Sequence, residues 1–362
     1  MLFFELLQVS LGNQNKLSSI PSDKEWAILY AESERQAVTG ILLHGVDRLP
    51  VEQRPSQAIL LQWIGVGQLI EQRNHLMDER CLELLTKLKE VGLTATILKG
   101  QGIAQLYDKG LRPLRQSGDI DVYVDYTIAE AIELAKQFGQ KEINWDYQHL
   151  HLNIWEDVEI EVHYRVEVLF NLFRNRKLQK WLKVNKYQLY YEDSGITAPT
   201  VSLNIVYVLL HIYRHYLTEG VGIRQLVDYY FVLQKANGSF DVYADGKNLE
   251  DTLKSFGVYR FTQGLMWVLE EVCGLERRLM ICEPLAKEGR LMLQEVMAGG
   301  NFGHYDVRLS HGKGKLSTLM DVLRHNLRLF HSYPCDTIWA STWLFWHKLW
   351  KLLMSLYLKI KP

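Results

Sequence analysis

Apolar residues recur at helical spacing over most of the chain, and only one central stretch takes up the two-residue period of strands. Trp26, Leu29 and Tyr30 open an apolar helical face that continues through Val38, Leu42 and Leu43. After a break between Pro50 and Pro55, a long amphipathic helix is predicted over residues 59–91, with Gly92 as its stop. The texture then changes. Short β-like runs occupy residues 94–98, 119–124, 149–155 and 158–164, and helices are predicted over 103–107 and 128–138. Helical spacing returns over 202–216, 223–234, 249–272 and 316–330. The pattern predicts an α/β (α+β) fold: an N-terminal helical segment (1–92), a small mixed-sheet module (93–165) and a C-terminal helical domain (166–362).

Composition narrows the class. With 48% hydrophobic and 11% aromatic residues, the chain has the material for a packed core. Its 41 Lys+Arg against 42 Asp+Glu give a net charge of −1, without the basic excess of a protein that coats nucleic acid. The four cysteines are far apart with no CxxC pair, which favours reduced thiols over a disulfide framework or a structural zinc site. The N-terminus lacks a basic n-region, and no stretch reaches the ~18 uncharged apolar residues of a spanning helix, so a cytoplasmic chain is expected. The charge is nevertheless uneven. Residues 119–161 hold eleven acids and two lysines, whereas residues 303–362 hold nine Lys+Arg and three Asp.

The acidic stretch carries the candidate chemistry. In the run Gly118-Asp119-Ile120-Asp121-Val122, Asp119 and Asp121 project from one face of a strand while Ile120 and Val122 enter the core. Neighbouring carboxylates repel unless a cation lies between them, and Mg²⁺ (or Mn²⁺) takes such oxygen ligands. A solvated pair of acids on an edge strand is the plain alternative. The two later β-like runs alternate as well: Leu150, Leu152, Ile160 and Val162 are apolar, while His149, His151, Glu159, Glu161 and His163 are polar. Matching the apolar faces puts Glu161, His151 and His163 on one surface, where phosphoryl transfer would use a third carboxylate. Upstream, Lys99-Gly100-Gln101-Gly102 forms a turn into a helix, a place for phosphate oxygens with Lys99 adding charge.

Leu98-Lys99-Gly100, Leu106-Tyr107, Arg112-Pro113, Gly118-Asp119-Ile120-Asp121 and Ile160-Glu161-Val162-His163 occur in an order that resembles the bacterial uncharacterised nucleotidyltransferase family of the DNA polymerase β superfamily. His211, His215 and the segment from Gly222 to Asp228 extend the resemblance into the helical region. Lys99-Gly100 stands where most of the superfamily has Gly-Ser or Gly-Gly, and the interval to Asp119 is longer. The resemblance implies a nucleotidyltransferase module with Asp119, Asp121 and Glu161 as metal ligands and catalytic acids. A nucleoside triphosphate is the implied co-substrate, bound through Lys99, Gly100, Gly118, Arg112 and Arg115; the acceptor is a small molecule, glycan precursor or protein rather than nucleic acid. His163, His151, Arg224 and Asp228 would support these groups. A nucleotide-binding protein without turnover on the same fold is the competing expectation.

Four features carry plainer alternatives. Arg112 and Arg115 also read as ordinary loop charges. His211 and His215, four apart on a helix, have the spacing of a zinc pair, although helix packing is the preferred reading; Arg224 and Asp228 read equally as an i,i+4 helix pair. The C-terminal Trp343-Leu344-Phe345-Trp346-His347-Lys348 run is expected to pack its tryptophans into the helical domain, with peripheral membrane contact as the alternative.

Overall fold

Ile120, Val122 and Val124 sit on a strand whose five residues are all buried, and a four-stranded sheet is built around it. The computed structural model describes residues 1–193, 195–240, 243, 246–309 and 315–358. Its sheet comprises β1 (Ala95–Ile97), β2 (Ile120–Val124), β3 (His149–Leu152) and β4 (Ile160–His163), in the order β1-β2-β4-β3. β2 runs antiparallel to β1 and parallel to β4, while β3 and β4 form an antiparallel pair. Leu150 faces Val162 and His151 faces Glu161, so the parity expected from the apolar alternation holds.

Four helices precede the sheet: α1 (Leu2–Ser10), α2 (Asp23–Arg35), α3 (Thr39–Arg48) and α4 (Gln57–Glu90). Two lie within the module, the one-turn α5 (Gln101–Ala104) and α6 (Ile128–Gln137) on the sheet's apolar face. Ser22 and Thr127 start α2 and α6 with reciprocal capping boxes to Glu25 and Glu130. After the sheet come α7 (Leu172–Val184), a hairpin of β5 (Tyr191–Asp193) and β6 (Ile196–Ala198), then α8 (Val201–Tyr216) and α9 (Ile223–Ala236). The remainder is α10 (Leu249–Phe256), α11 (Tyr259–Cys273), α12 (Ala286–Gly299), α13 (Lys315–Leu329) and α14 (Pro334–Leu358).

The single helix expected over 249–272 is in fact two. Gly257 adopts a left-handed φ of 74° and ends α10 before α11 begins. The helix expected at 103–107 is shorter and earlier, as α5. The apolar residues form two cores. The larger joins α1–α3 and the first part of α4 to the C-terminal helices; the smaller holds the sheet, α6 and the second part of α4 through Met77, Cys81, Leu84 and Leu88. α14 also meets both. Trp339 and Trp343 pack against the larger core as expected, but Trp350 packs on the module, with ring centroids 4.9 Å from Tyr147 and 5.7 Å from Trp145. Phe345, Trp346, Leu349 and Leu353 face solvent from the same helix. Lys313, Lys359 and Lys361 of the basic C-terminal stretch lie outside the described residues. Among the described residues, no helix is long and apolar enough to cross a membrane.

The turn between β1 and α5 sets the position of Lys99. Gly100 has a φ of 52°, and a Cβ on Gly102 would lie 2.3 Å from the Ile97 carbonyl oxygen. Gly102→Ala must therefore shift the turn away from β1, and we expect a loss of about 1–3 kcal/mol in stability, read as a lower urea midpoint.

A candidate active site between the sheet and helices α8 and α9

The polar face of the sheet is not open to solvent. α8, α9 and residues 302–304 cover it, leaving a cleft of about 620 Å³ lined by Lys99, Asp119, Asp121, Glu161, His149 and Arg224 among others. Asp121 and Glu161 are register partners on the parallel strands β2 and β4, which brings their carboxylates to one place on the cleft floor. Asp119 lies just before β2 on the same wall.

Charge in this face is balanced by two cations. Lys99 Nζ is 2.7 Å from Asp121 Oδ1, and the Asp121 side chain is only 2% exposed. His163 Nε2 lies 2.8 Å from Asp121 Oδ1 and 3.3 Å from Glu161 Oε2. Burial opposes the charge of Asp121, but Lys99 and His163 outweigh it and hold the carboxyl far below its usual range. The same partners act in reverse on His163: burial disfavours its cation, yet hydrogen bonds to Asp121 and Glu161 push it up to about 9. Burial likewise opposes the Lys99 ammonium, and Asp121, Asp119 and Glu161 hold it above its ordinary value. Asp119 is the unsatisfied member. The charge of Asp121, then burial, push its carboxyl up to about 6.

A divalent cation fits this donor set on chemical grounds. The charge of Asp121 and burial both work against the Asp119 carboxylate, and a positive ion on the face would offset that repulsion. Asp121, Glu161 and His163 each offer a ligand atom within 4.8 Å of the others, and so do His149, His151 and Glu161. Asp119 is outside both groups while lining the same cleft.

The other expected residues divide. Gly100 and Gly118 line the cleft. Arg115 lines it too, but it is buried and its guanidinium forks onto Asp228, Nε to Oδ1 at 2.7 Å and Nη2 to Oδ2 at 2.8 Å. Tyr107 donates to the same Oδ1 at 2.7 Å. Arg112 is absent from the lining; its Nη2 meets Asp78 Oδ2 on α4 at 3.2 Å. Arg224 and Asp228 do not pair along α9 as an i,i+4 couple, because Asp228 is taken by Arg115. Arg224 Nη1 instead donates to the Gln116 carbonyl at 2.8 Å, with its guanidinium carbon 5.7 Å from the Phe302 ring centroid. Among the described residues no carboxylate lies within ion-pair distance of Arg224. His163 is no surface histidine: its side chain is 1% exposed.

His211 and His215 pack against neighbouring rings, as expected, and line the cleft as well. Each has its own carboxylate partner. His211 Nδ1 bonds Glu167 Oε2 at 3.1 Å, and His215 Nδ1 bonds Glu219 Oε2 at 3.0 Å. Glu167 was not foreseen. It is 1% exposed and also accepts from Arg214 Nε at 2.9 Å, tying the segment after β4 to α8. Its signal in the sequence was a lone acid inside the apolar run Val166-Glu167-Val168-Leu169-Phe170. Asp146, His149, Arg214, Glu219 and Phe302 also line the cleft without having been assigned a role.

The buried fork between Arg115 and Asp228 offers a direct test of what fastens α9 to the loop before β2. Asp228→Ala would leave a buried guanidinium and the Tyr107 hydroxyl without their acceptor, and we expect a loss of about 3–5 kcal/mol, measured by chemical denaturation.

Neither a curated protein nor a solved structure matches the chain. A family model described as uncharacterised nucleotidyltransferase does match, over residues 22–274, from the start of α2 to the end of α11. That span exceeds half of the 362 residues and contains both strands that carry Asp121 and Glu161. The chain belongs to this uncharacterised nucleotidyltransferase family.

Proposed function

We propose that the protein moves a nucleoside monophosphate from a nucleoside triphosphate to an acceptor hydroxyl in a divalent-metal-dependent reaction. The observation that carries this reading is that Asp119, Asp121 and Glu161 line one cleft, the last two as register partners, together with Lys99 and Arg224. Bound Mg²⁺ or Mn²⁺ would neutralise phosphate oxygens and raise the reactivity of the acceptor oxygen.

The chain's own residues divide the remaining work. Asp119 and Asp121 supply the carboxylates on which the metal–triphosphate complex docks. Lys99, now 2.7 Å from Asp121, is the nearest cation able to pass its charge to a phosphate oxygen once a metal replaces it there. Arg224, rather than Arg112, is the second triphosphate contact, since it faces the cleft without a carboxylate partner. The acceptor oxygen forms a bond to the α-phosphorus while the bond to the β-phosphate bridge breaks, and pyrophosphate leaves with that electron pair. Glu161 would hold the metal ion on the acceptor side and help to take up the acceptor's proton. A small molecule, a glycan precursor or a protein side chain is the acceptor, and the near-neutral charge of the chain speaks against nucleic acid. A cytoplasmic setting, where triphosphates are abundant, completes the reading.

One observation favours a second reading, a nucleotide-binding protein without turnover: Lys99 and His163 already satisfy Asp121. The two separate in one experiment. Full-length protein is incubated with each α-labelled triphosphate, Mg²⁺ and pools of small molecules, glycan precursors and proteins. We expect label transfer with pyrophosphate release, reduced on the order of a hundredfold or more in Asp121→Asn. Triphosphate binding with no pyrophosphate from any pool would favour the binding-only reading; neither binding nor release would sink both.

A further inference from the structure

The face that carries Glu161 holds more nitrogen than an all-magnesium site would use. His151 is the register partner of Glu161 across β3 and β4, and His149 is the partner of His163 two residues along. The three ligand atoms of His149, His151 and Glu161 lie within 4.8 Å of one another, with His149 Nε2 3.4 Å from Glu161 Oε1. All three side chains are half-buried, open enough for an ion to enter and sheltered enough to hold it. The rings of His149 and His151 meet edge to face at 5.2 Å. Among the described residues, neither ring nitrogen of His151 has a hydrogen-bond partner.

A carboxylate also lies behind the first histidine, although His149 Nδ1 makes no hydrogen bond to it. Asp146 Oδ1 lies 3.8 Å from His149 Nδ1, the ring nitrogen away from Glu161. That carboxylate is itself fixed, because the same oxygen accepts the backbone N–H groups of Gln148 at 2.7 Å and His149 at 2.9 Å. The buried Nδ1 without a partner leaves Nε2, the nitrogen that faces Glu161, as the one placed to take an ion, with the Asp146 charge near the far side of the ring. Mg²⁺ prefers oxygen ligands and retains water, whereas imidazole favours zinc and other d-block ions.

We propose that His149, His151 and Glu161 form a binding site for a divalent d-block cation, adjoining the carboxylates of Asp119 and Asp121 and sharing Glu161 with them. The proposal rests on the proposed transfer reaction, in which Glu161 would hold the metal ion on the acceptor side. It adds that the acceptor side of the cleft is selective for an ion that accepts nitrogen, while the Asp119–Asp121 side is left to oxygen-seeking Mg²⁺.

Zinc is the probe, and stoichiometry the first readout. Full-length protein is dialysed against limiting Zn²⁺ in a large excess of Mg²⁺, which occupies the oxygen ligands, and bound zinc is counted. Retention of one Zn²⁺ per chain is expected, with affinity at least about tenfold to a hundredfold weaker in His151→Asn and in His149→Asn. The exposed His75→Asn serves as the control and is expected to bind as the wild type does. Co²⁺ in place of Zn²⁺ should give a visible absorption band that His151→Asn abolishes, while far-ultraviolet circular dichroism reports that the variant is folded. Failure to retain zinc in excess Mg²⁺, or retention unchanged in folded His151→Asn, would overturn the proposal. Because the readouts are stoichiometry and spectrum, pyrophosphate release with Mg²⁺ in a protein that binds no zinc would sink this site and leave nucleotide transfer intact. A zinc site lost in His151→Asn would stand even if no acceptor pool yields pyrophosphate.

Discussion

Carboxylates gathered on a buried face repel one another, and the rest of this molecule is arranged around that repulsion. Asp119 and Asp121 come from the start of one strand, and Glu161 from its parallel neighbour. Compensation arrives from two directions and is incomplete. The turn after β1 brings Lys99, β4 brings His163, and Asp119 is left raised to about 6 as the part that protein charge does not neutralise. α8 and α9 then close over the face. Without them the acids would be solvated and their mutual repulsion screened; with them the charge must be matched by ions held close by.

Local pattern made the floor of the cleft legible, and long-range charge pairing hid its walls. The alternation in residues 149–163 sufficed to set which side chains share the face, because a one-residue slip would have buried His151 and Glu161 and exposed Leu152 and Ile160. The Asp119–Asp121 spacing was readable for the same reason. Arg115 and Asp228, 113 residues apart, had no local signal, and the nearer Arg224 made a plausible partner for Asp228 on helical spacing alone. The competition was decided by burial: Arg115 is enclosed and requires a fork of acceptors, whereas Arg224 keeps a carbonyl and an aromatic ring. Glu167 was hidden in the same way, since its partners His211 and Arg214 sit on a helix more than forty residues later. The break at Gly257 was written in the sequence as a glycine, but apolar spacing runs smoothly across it.

Most positive charge in the cleft is matched within the protein. Lys99 faces Asp121, Arg115 faces Asp228 and Arg214 faces Glu167. A cleft so balanced has little net attraction for free anions, which fits a near-neutral chain. Its selectivity would come from replacing specific partners, one cation and one anion at a time, rather than from a broad field.

α4, with 34 residues and a length of about 50 Å, enters both apolar cores, and α14 enters both again from the opposite end of the chain. Each of the two helices ties the two cores together. A hinge-like parting of sheet and helices would have to bend a continuous helix or strip its residues from one core. Exchange of a side-chain partner, such as Lys99 on Asp121, disturbs neither core and is the less costly way to the acids.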